Sequence, residues 1–87
     1  MRQNYPNPFV NETLIAYYLP DDSNVNVTIF DVLGRRVITL VNEAQEAGEH
    51  EVIFSAGQYS GLASGFYVYR IHAGNMVQSR AMILVKQ

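Results

Sequence analysis

Residues 27–37 read VTIFDVLGRRV, an alternation of apolar residues followed by turn-forming types. Every second residue from Val25 to Ile29 is apolar, and a period of two places these side chains on one face of an extended strand. Asp31 and Gly34 then provide a tight turn, because Asp hydrogen-bonds nearby backbone groups and Gly tolerates a positive φ. The stretch therefore predicts a β-hairpin whose second strand begins shortly after the Gly.

The turn residues also have a second interpretation, as a recognition epitope. Asp31 and Gly34 are the residue types that a tight reversal demands, and the structural interpretation is favoured for both. The guanidinium of Arg35 is expected to bond the carboxylate of Asp31 or loop carbonyls, and contact with a partner is the alternative.

The second strand of the hairpin has an irregular apolar pattern. Val37 and Leu40 are three residues apart, whereas side chains on one face of a regular strand repeat every second residue. A β-bulge would place both in the core, and so would a strand buried on both faces. Both alternatives stay open. The polar residues 42–48 that follow predict a loop.

Apolar alternation recurs on both sides of the hairpin. Turn and breaker residues separate these segments, and no amphipathic helix of useful length occurs. The pattern predicts an all-β fold, an immunoglobulin-like β-sandwich of about seven antiparallel strands in two sheets. The alternating segments outside the hairpin are residues 13–19, 50–54, 66–72 and 76–85.

The first residues contain two X-Pro steps. Pro6 and Pro8 disfavour a helix for the residues before them and lack a backbone N–H, so the segment is expected to be extended. Residues 1–8 are assigned to the end of a linker and residues 9–87 to the sandwich domain. Phe9 is expected to cover one end of a sheet.

The aromatic residues divide into core and surface candidates. Residues 64–67, SGFY, resemble the tyrosine corner of immunoglobulin-like domains, in which a Tyr hydroxyl bonds to backbone a few residues upstream. Four aromatic residues alternate in step with the inward-facing side chains of their strands and are assigned to the core: Tyr17, Phe54, Tyr67 and Tyr69. The candidates left for an exposed patch are Tyr5, Phe9, Tyr18, Phe30, Tyr59 and Phe66.

Composition excludes several classes of function. The 87 residues are 48% hydrophobic and 16% charged, which argues against disorder, and without Cys no disulfide can form. The net charge is −2 and no basic cluster exceeds Arg35-Arg36, so a nucleic-acid partner is not expected. His50 and His72 are the only imidazoles, and His50 is expected to pack at a sheet edge. We expect no metal site, no cofactor and no enzymatic activity, since no nucleophile-elbow pattern surrounds Ser55, Ser60 or Ser64.

The last predicted strand carries two apolar sets on opposite faces. One set must be covered by a second sheet or by a partner if the strand is half-buried, and a central strand buried on both faces is the alternative. A terminal strand can be recognised by strand addition or by capture of its end. Free sheet edges also allow a weak homodimer. The residues predicted to contact a partner are Arg80, Met82, Ile83, Leu84, Val85 and Lys86.

Five segments, in this order, resemble the C-terminal sorting domains of the type IX secretion system. They are residues 4–9 (NYPNPF), 27–37, 47–54 (AGEHEVIF), 61–71 (GLASGFYVYRI) and 80–86 (RAMILVK). The chain departs from the commonest pattern between residues 54 and 61, where the connection is longer. Within these segments the positions assigned to structural motifs are Pro6, Pro8, Phe9, Asp31, Gly34, Arg35, Gly48, Gly65 and Tyr67.

The resemblance implies an immunoglobulin-like tag at the C-terminus of an exported protein. The outer-membrane secretion machinery of a Gram-negative bacterium would recognise the tag, and a sortase-like peptidase would remove it. The upstream cargo would pass through the periplasm to the cell surface or the medium. The same sandwich can also host a carbohydrate- or surface-binding module, or a structural spacer such as the related domain of the flagellar hook-capping protein. These two alternatives stay open.

Overall fold

The computed structural model describes residues 1–59 and 61–86. The strands are β1 (Glu12–Leu19), β2 (Ser23–Asp31), β3 (Arg36–Gln45), β4 (Gly48–Ser55), β5 (Gly65–Ala73) and β6 (Met76–Leu84), with a 3-10 turn at Ala56–Gln58. All pairs are antiparallel, in a two-stranded sheet β1-β4 and a four-stranded sheet β3-β2-β5-β6. The predicted all-β sandwich of two antiparallel sheets is confirmed, with six strands among the described residues instead of about seven.

The hairpin of β2 and β3 contains two β-bulges, which account for the three-residue spacing of Val37 and Leu40. The register of β3 against β2 skips one residue at Leu40 and another at Val37. At a bulge, two residues of one strand lie opposite a single residue of its partner, so the alternation between the two faces shifts by one residue. As a result, both Val37 and Leu40 pack against the core although they are three residues apart. Of the two alternatives for this strand, the structure has the bulge.

The loop predicted at residues 42–48 is wrong for its first four residues. β3 continues to Gln45, and residues 42–45 pair with the first half of β2, from Asn26 back to Ser23. Their side chains are polar because β3 is an edge strand with much of its surface in solvent. Backbone pairing with a distant strand therefore overrides the local composition.

The core lies between the two sheets and contains the four predicted aromatic residues. Phe54 and Tyr69 are fully buried, and Tyr17 and Tyr67 nearly so. The hydroxyl of Tyr67 donates to the carbonyl oxygen of Ala63 at 2.7 Å, which confirms the tyrosine corner. Phe9 is also buried, and its ring packs edge-to-face on Phe54 with 6.0 Å between the ring centroids. It therefore covers the end of the sandwich as predicted and is not one of the exposed aromatic residues.

The N-terminal segment runs along one open side of the sandwich. Tyr5 forms a bridge with Leu14 of β1, and Phe9 forms a parallel bridge with Leu84 of β6, so the segment connects the edges of both sheets. It forms isolated bridges only, because the intervening prolines have no N–H to continue a ladder. The domain boundary at residue 9 stays a prediction.

Asn4 joins this segment to the core. Its backbone N–H donates to the hydroxyl of Tyr69 at 2.8 Å, and that hydroxyl donates to the carbonyl of Arg2 at 2.9 Å. Its side-chain amide donates to the hydroxyl of Thr13 at 2.9 Å. Asn4 and Thr13 are buried, and every polar side-chain atom buried in the described part of the chain has a partner.

In residues 1–59 and 61–86, no helix combines the length and the apolar character that a membrane span requires.

Candidate recognition site on the C-terminal strand

β6 is an edge strand, and its C-terminal end is covered by the N-terminal segment. The N–H of Ile83 donates to the side-chain oxygen of Asn7 at 2.9 Å, and its carbonyl accepts from the N–H of Phe9 at 2.9 Å. The N–H of Val85 donates to the carbonyl of Phe9 at 2.8 Å. The backbone groups that face away from β5 at this end are therefore already paired.

The first half of the same edge is open. In an antiparallel ladder, backbone groups point to alternate sides, so residues 77, 79 and 81 face the same way as Ile83. The carbonyl of Ala81 accepts from the side-chain amide of Gln3 at 2.9 Å. Among the described residues, the outward backbone groups of Val77 and Ser79 have no protein partner. This stretch has the free donors and acceptors that strand addition requires.

The six residues predicted to contact a partner divide between core and surface. Met82 and Leu84 are buried in the core, opposite Tyr67 and Gly65 of β5. Ile83 is half-buried on the outer face, and three others are exposed: Arg80, Val85 and Lys86. One apolar set is thus covered by the second sheet, and the residues accessible to a partner are Arg80, Ile83, Val85 and Lys86.

Hydrogen bonds hold the end of the chain against the loop before β5. The backbone N–H of Lys86 donates to the hydroxyl of Ser64 at 2.7 Å, and its ammonium donates to the carbonyl of Leu62 at 3.0 Å. At the other end of the six residues predicted to contact a partner, the guanidinium of Arg80 donates to the carbonyl of Met1 at 3.2 Å. The accessible residues therefore have defined positions: Arg80 and Lys86 are held by their side chains, and Ile83 and Val85 by their backbone groups.

The tip of the β2–β3 hairpin is organised by one carboxylate. Asp31 accepts from the N–H groups of Leu33 and Arg35, both at 2.9 Å, and from the guanidinium of Arg35 at 2.9 Å. Gly34 has φ +80°, as the predicted turn requires, and the guanidinium of Arg35 makes the bond to Asp31 that its structural interpretation expects. These bonds lower the pKa of Asp31, chiefly through the backbone N–H of Arg35.

Acidification is expected to destabilise this hairpin. Because the pKa of Asp31 is lower in the folded chain, its ionised form contributes fully above the usual Asp pKa of about 3.9, and the contribution is lost as the pH falls through the folded-state value. Thermal unfolding between pH 2 and 7 should give Asp31→Asn a lower melting temperature at neutral pH and a value close to wild type in acid.

The control is Asp21→Asn, which makes the same change of charge at an exposed residue. Its melting temperature should follow that of the wild type at every pH. Parallel curves for wild type and Asp31→Asn would contradict the role of this carboxylate.

His50 lies beside an open groove of the sandwich. His50 stacks on Tyr17 with ring centroids 5.6 Å apart, and its Nε2 lies 2.6 Å from the carbonyl of Glu46, so it packs at a sheet edge as predicted. The groove has a volume of about 560 Å³ and is lined mainly by β1, β4 and Arg2. Residues 1–59 and 61–86 contain no group of three or more His, Asp or Glu side chains that could hold a metal ion. Ser60 and Gln87 lie outside the described residues.

A comparison with protein families decides what this edge-strand domain is. The model of the secretion system C-terminal sorting domain matches residues 3–86, nearly the whole chain. The chain belongs to this family. Sorting domains of the type IX system direct the export of the protein to which they are attached, and the resemblance of the five sequence segments is confirmed. The same comparisons found no matching curated protein and no matching solved structure.

Three of the five segments of the sorting domain meet around the C-terminal strand. Residues 4–9 connect the two sheets, and Phe9 pairs with the strand formed by the closing segment, residues 80–86. Residues 61–71 contain the tyrosine corner and β5, which pairs with β6. Motifs that are far apart in the chain are therefore neighbours around the C-terminal strand.

Two asparagines of the first segment position it against both sheets, and neither was among the predicted site residues. Asn4 is a buried hydrogen-bonding centre, and Asn7 accepts from the N–H of Ile83 on β6. Their position beside Pro6 and Pro8 is the signal that could have identified them. Prolines cannot donate to a sheet, so amide side chains nearby make the hydrogen bonds that join the segment to its neighbours.

The exposed aromatics of the sorting domain do not form a single platform. Tyr5 and Tyr18 lie on the side of the two-stranded sheet, and Phe66 lies on the outer face of the four-stranded sheet. Tyr59 is half-buried and stacks on Phe54. Phe30, another candidate for the exposed patch, is half-buried below the guanidinium of Arg70.

Proposed function

We propose that this sorting domain directs an upstream cargo protein through the type IX outer-membrane machinery, and that the machinery recognises it mainly through the C-terminal strand. The cargo passes through the periplasm and reaches the cell surface or the medium, where a sortase-like peptidase removes the domain. The observation that carries this proposal is the edge position of β6, with an open backbone at Val77 and Ser79 and exposed side chains at Val85 and Lys86.

The six residues assigned to recognition have two roles in this proposal. Met82 and Leu84 hold β6 against the core, and their burial supports a positioning role. Arg80, Ile83, Val85 and Lys86 are the side chains that a partner can contact. A strand added beside Val77 and Ser79 meets free backbone groups, whereas one added beside Ile83 must displace Asn7 and Phe9.

An export assay tests the proposal. A reporter with an export signal is fused to the domain in a type IX-competent strain, and the reporter is quantified in the medium and on the cell surface. We expect export with the domain and retention in the periplasm without it. The double variant Val85→Asp/Lys86→Glu should lower export about tenfold, a loss typical of a residue central to an interface.

Ile53→Asp is the matched control, since Ile53 is 53% exposed on β4 of the other sheet and Val85 is 42% exposed. It should export normally, and both proteins should keep their melting temperatures. Deletion of residues 81–87 is a poorer test, because it removes Met82 and Leu84 from the core as well. Retention of the reporter in the periplasm with the intact domain would exclude a sorting function.

Two results would favour the alternative functions. Glycan binding that is lost in Phe66→Ala would favour a carbohydrate-binding module. Normal export by the double variant, together with export by the intact domain, would favour a structural role for the last strand. A weak homodimer through the open edge of β6 also remains a prediction, and sedimentation of the isolated domain at increasing concentration tests it.

A further inference from the structure

The outer face of the four-stranded sheet lies on the side away from the core, and all of its residues except Thr28 are exposed or half-buried. Side chains alternate along each strand, so the residues between the core positions point away from the second sheet. We call this surface the open face. Its members on each strand are Asn24, Asn26, Thr28 and Phe30 of β2; Arg36, Thr39, Asn42 and Ala44 of β3; Phe66, Val68, Arg70 and His72 of β5; and Val77, Ser79, Ala81 and Ile83 of β6.

The open face has the opposite charge to the rest of the chain. The protein has eight Asp and Glu against six Lys and Arg. None of these carboxylates belongs to the open face as the strand registers define it, whereas Arg36 and Arg70 both do. The guanidinium of Arg70 lies 4.6 Å from the centre of the Phe30 ring, which positions the charge while leaving N–H groups free for a carboxylate.

An apolar area adjoins these two cations. Phe66 pairs with Ile83 and Val68 pairs with Ala81, so four apolar side chains lie side by side across β5 and β6. Phe66 is 57% exposed although it is aromatic. Val68 is also the neighbour of Phe30 on β2, so the apolar area reaches the ring below Arg70. Aromatic and Arg side chains on one surface are the composition of a protein interface.

We propose that the open face binds an acidic protein surface on which Asp or Glu side chains border an apolar patch. The partner would belong to the secretion machinery, and in this respect the inference rests on the proposed function. Charge complementarity favours a protein over the other partners. Two Arg are fewer than the cluster of about four to eight cations that anionic membranes attract. A sugar platform needs several open aromatic rings, and of the two Phe on this face Phe30 is beneath Arg70, which leaves Phe66 alone.

The test compares two pairs of matched variants in the reporter export assay. Phe66→Thr and Tyr18→Thr replace aromatic residues that are both 57% exposed, one on the open face and one on the opposite sheet. Arg70→Glu and Arg2→Glu reverse the charge of two exposed Arg. Phe66→Thr and Arg70→Glu should each lower export about tenfold, whereas both controls should stay within about twofold of wild type.

Two further measurements separate the outcomes. The melting temperature of each purified variant must stay within a few degrees of wild type, and for any variant that fails this, Phe66→Val or Arg70→Gln replaces it. The domain is also sedimented with vesicles of phosphatidylcholine and phosphatidylglycerol, and no binding is expected. Binding that Arg70→Glu abolishes would identify a membrane and overturn the inference.

The failure of this inference differs from that of the proposed function. If the intact domain exports the reporter and both open-face variants export it equally well, the open face is not the docking surface, while the sorting function stands. If the intact domain does not export the reporter, the sorting function itself fails, and with it the identity of the partner.

Discussion

Phe54→Ala is expected to lower the free energy of unfolding by about 3–5 kcal/mol, the range found when a buried Phe is truncated. Phe54 is fully buried between the sheets and contacts the rings of both Phe9 and Tyr59. A domain of 87 residues has a total stability of about 4–13 kcal/mol, so the variant should be largely unfolded at moderate urea concentrations. Urea titration followed by far-ultraviolet circular dichroism measures the loss.

The control for this variant is the preceding residue. Ile53 is on the opposite face of β4 and is 53% exposed, so Ile53→Ala should change the free energy of unfolding by about 0.5 kcal/mol or less. Equal losses in the two variants would contradict the assignment of the two faces of β4.

Tyr69→Phe is expected to destabilise the complete chain by about 1–3 kcal/mol, the cost of leaving a buried polar group without its partner. The hydroxyl of Tyr69 accepts from the N–H of Asn4 and donates to the carbonyl of Arg2, so its loss leaves a buried N–H unpaired. Burial also raises the pKa of this hydroxyl, which keeps it neutral and able to donate well into the alkaline range.

The same substitution in a chain that begins at residue 9 completes a double-mutant cycle. Because both partners of the hydroxyl are then absent, Tyr69→Phe should cost less than about 0.5 kcal/mol. The shortened chain also tests the predicted domain boundary. Cooperative unfolding with nearly the stability of the complete chain would support a domain of residues 9–87. An equal cost of Tyr69→Phe in both chains would contradict the role assigned to the N-terminal segment.

Features that depend on neighbours in the chain were predictable from the sequence. The turn at Asp31 requires a carboxylate and a Gly three residues apart, and the bond from Arg35 to Asp31 closes within the same loop. The tyrosine corner is equally local, since the hydroxyl of Tyr67 reaches a carbonyl four residues upstream. Period-two alternation also assigned the core aromatics, because a strand has only two faces.

Features that depend on distant pairing were predicted less well. Residues 42–45 are polar and were assigned to a loop, yet they complete β3 because the first half of β2 offers them backbone partners. The spacing of Val37 and Leu40 showed that something irregular was needed, but a bulge becomes distinct from a doubly buried strand only once the register with β2 is known.

The fold class, the hairpin, the inward aromatics and the family of this sorting domain could be predicted from the sequence alone. These follow from side-chain periodicity, turn chemistry and an ordered set of short segments. The tertiary structure was needed to see which face of β6 is covered, that Asn7 and Phe9 pair with its C-terminal end, and that Arg36 and Arg70 share a face to which the strand registers assign no carboxylate. The reason is physical: alternation along a strand separates two faces, but pairing between residues more than seventy positions apart decides what lies against each of them.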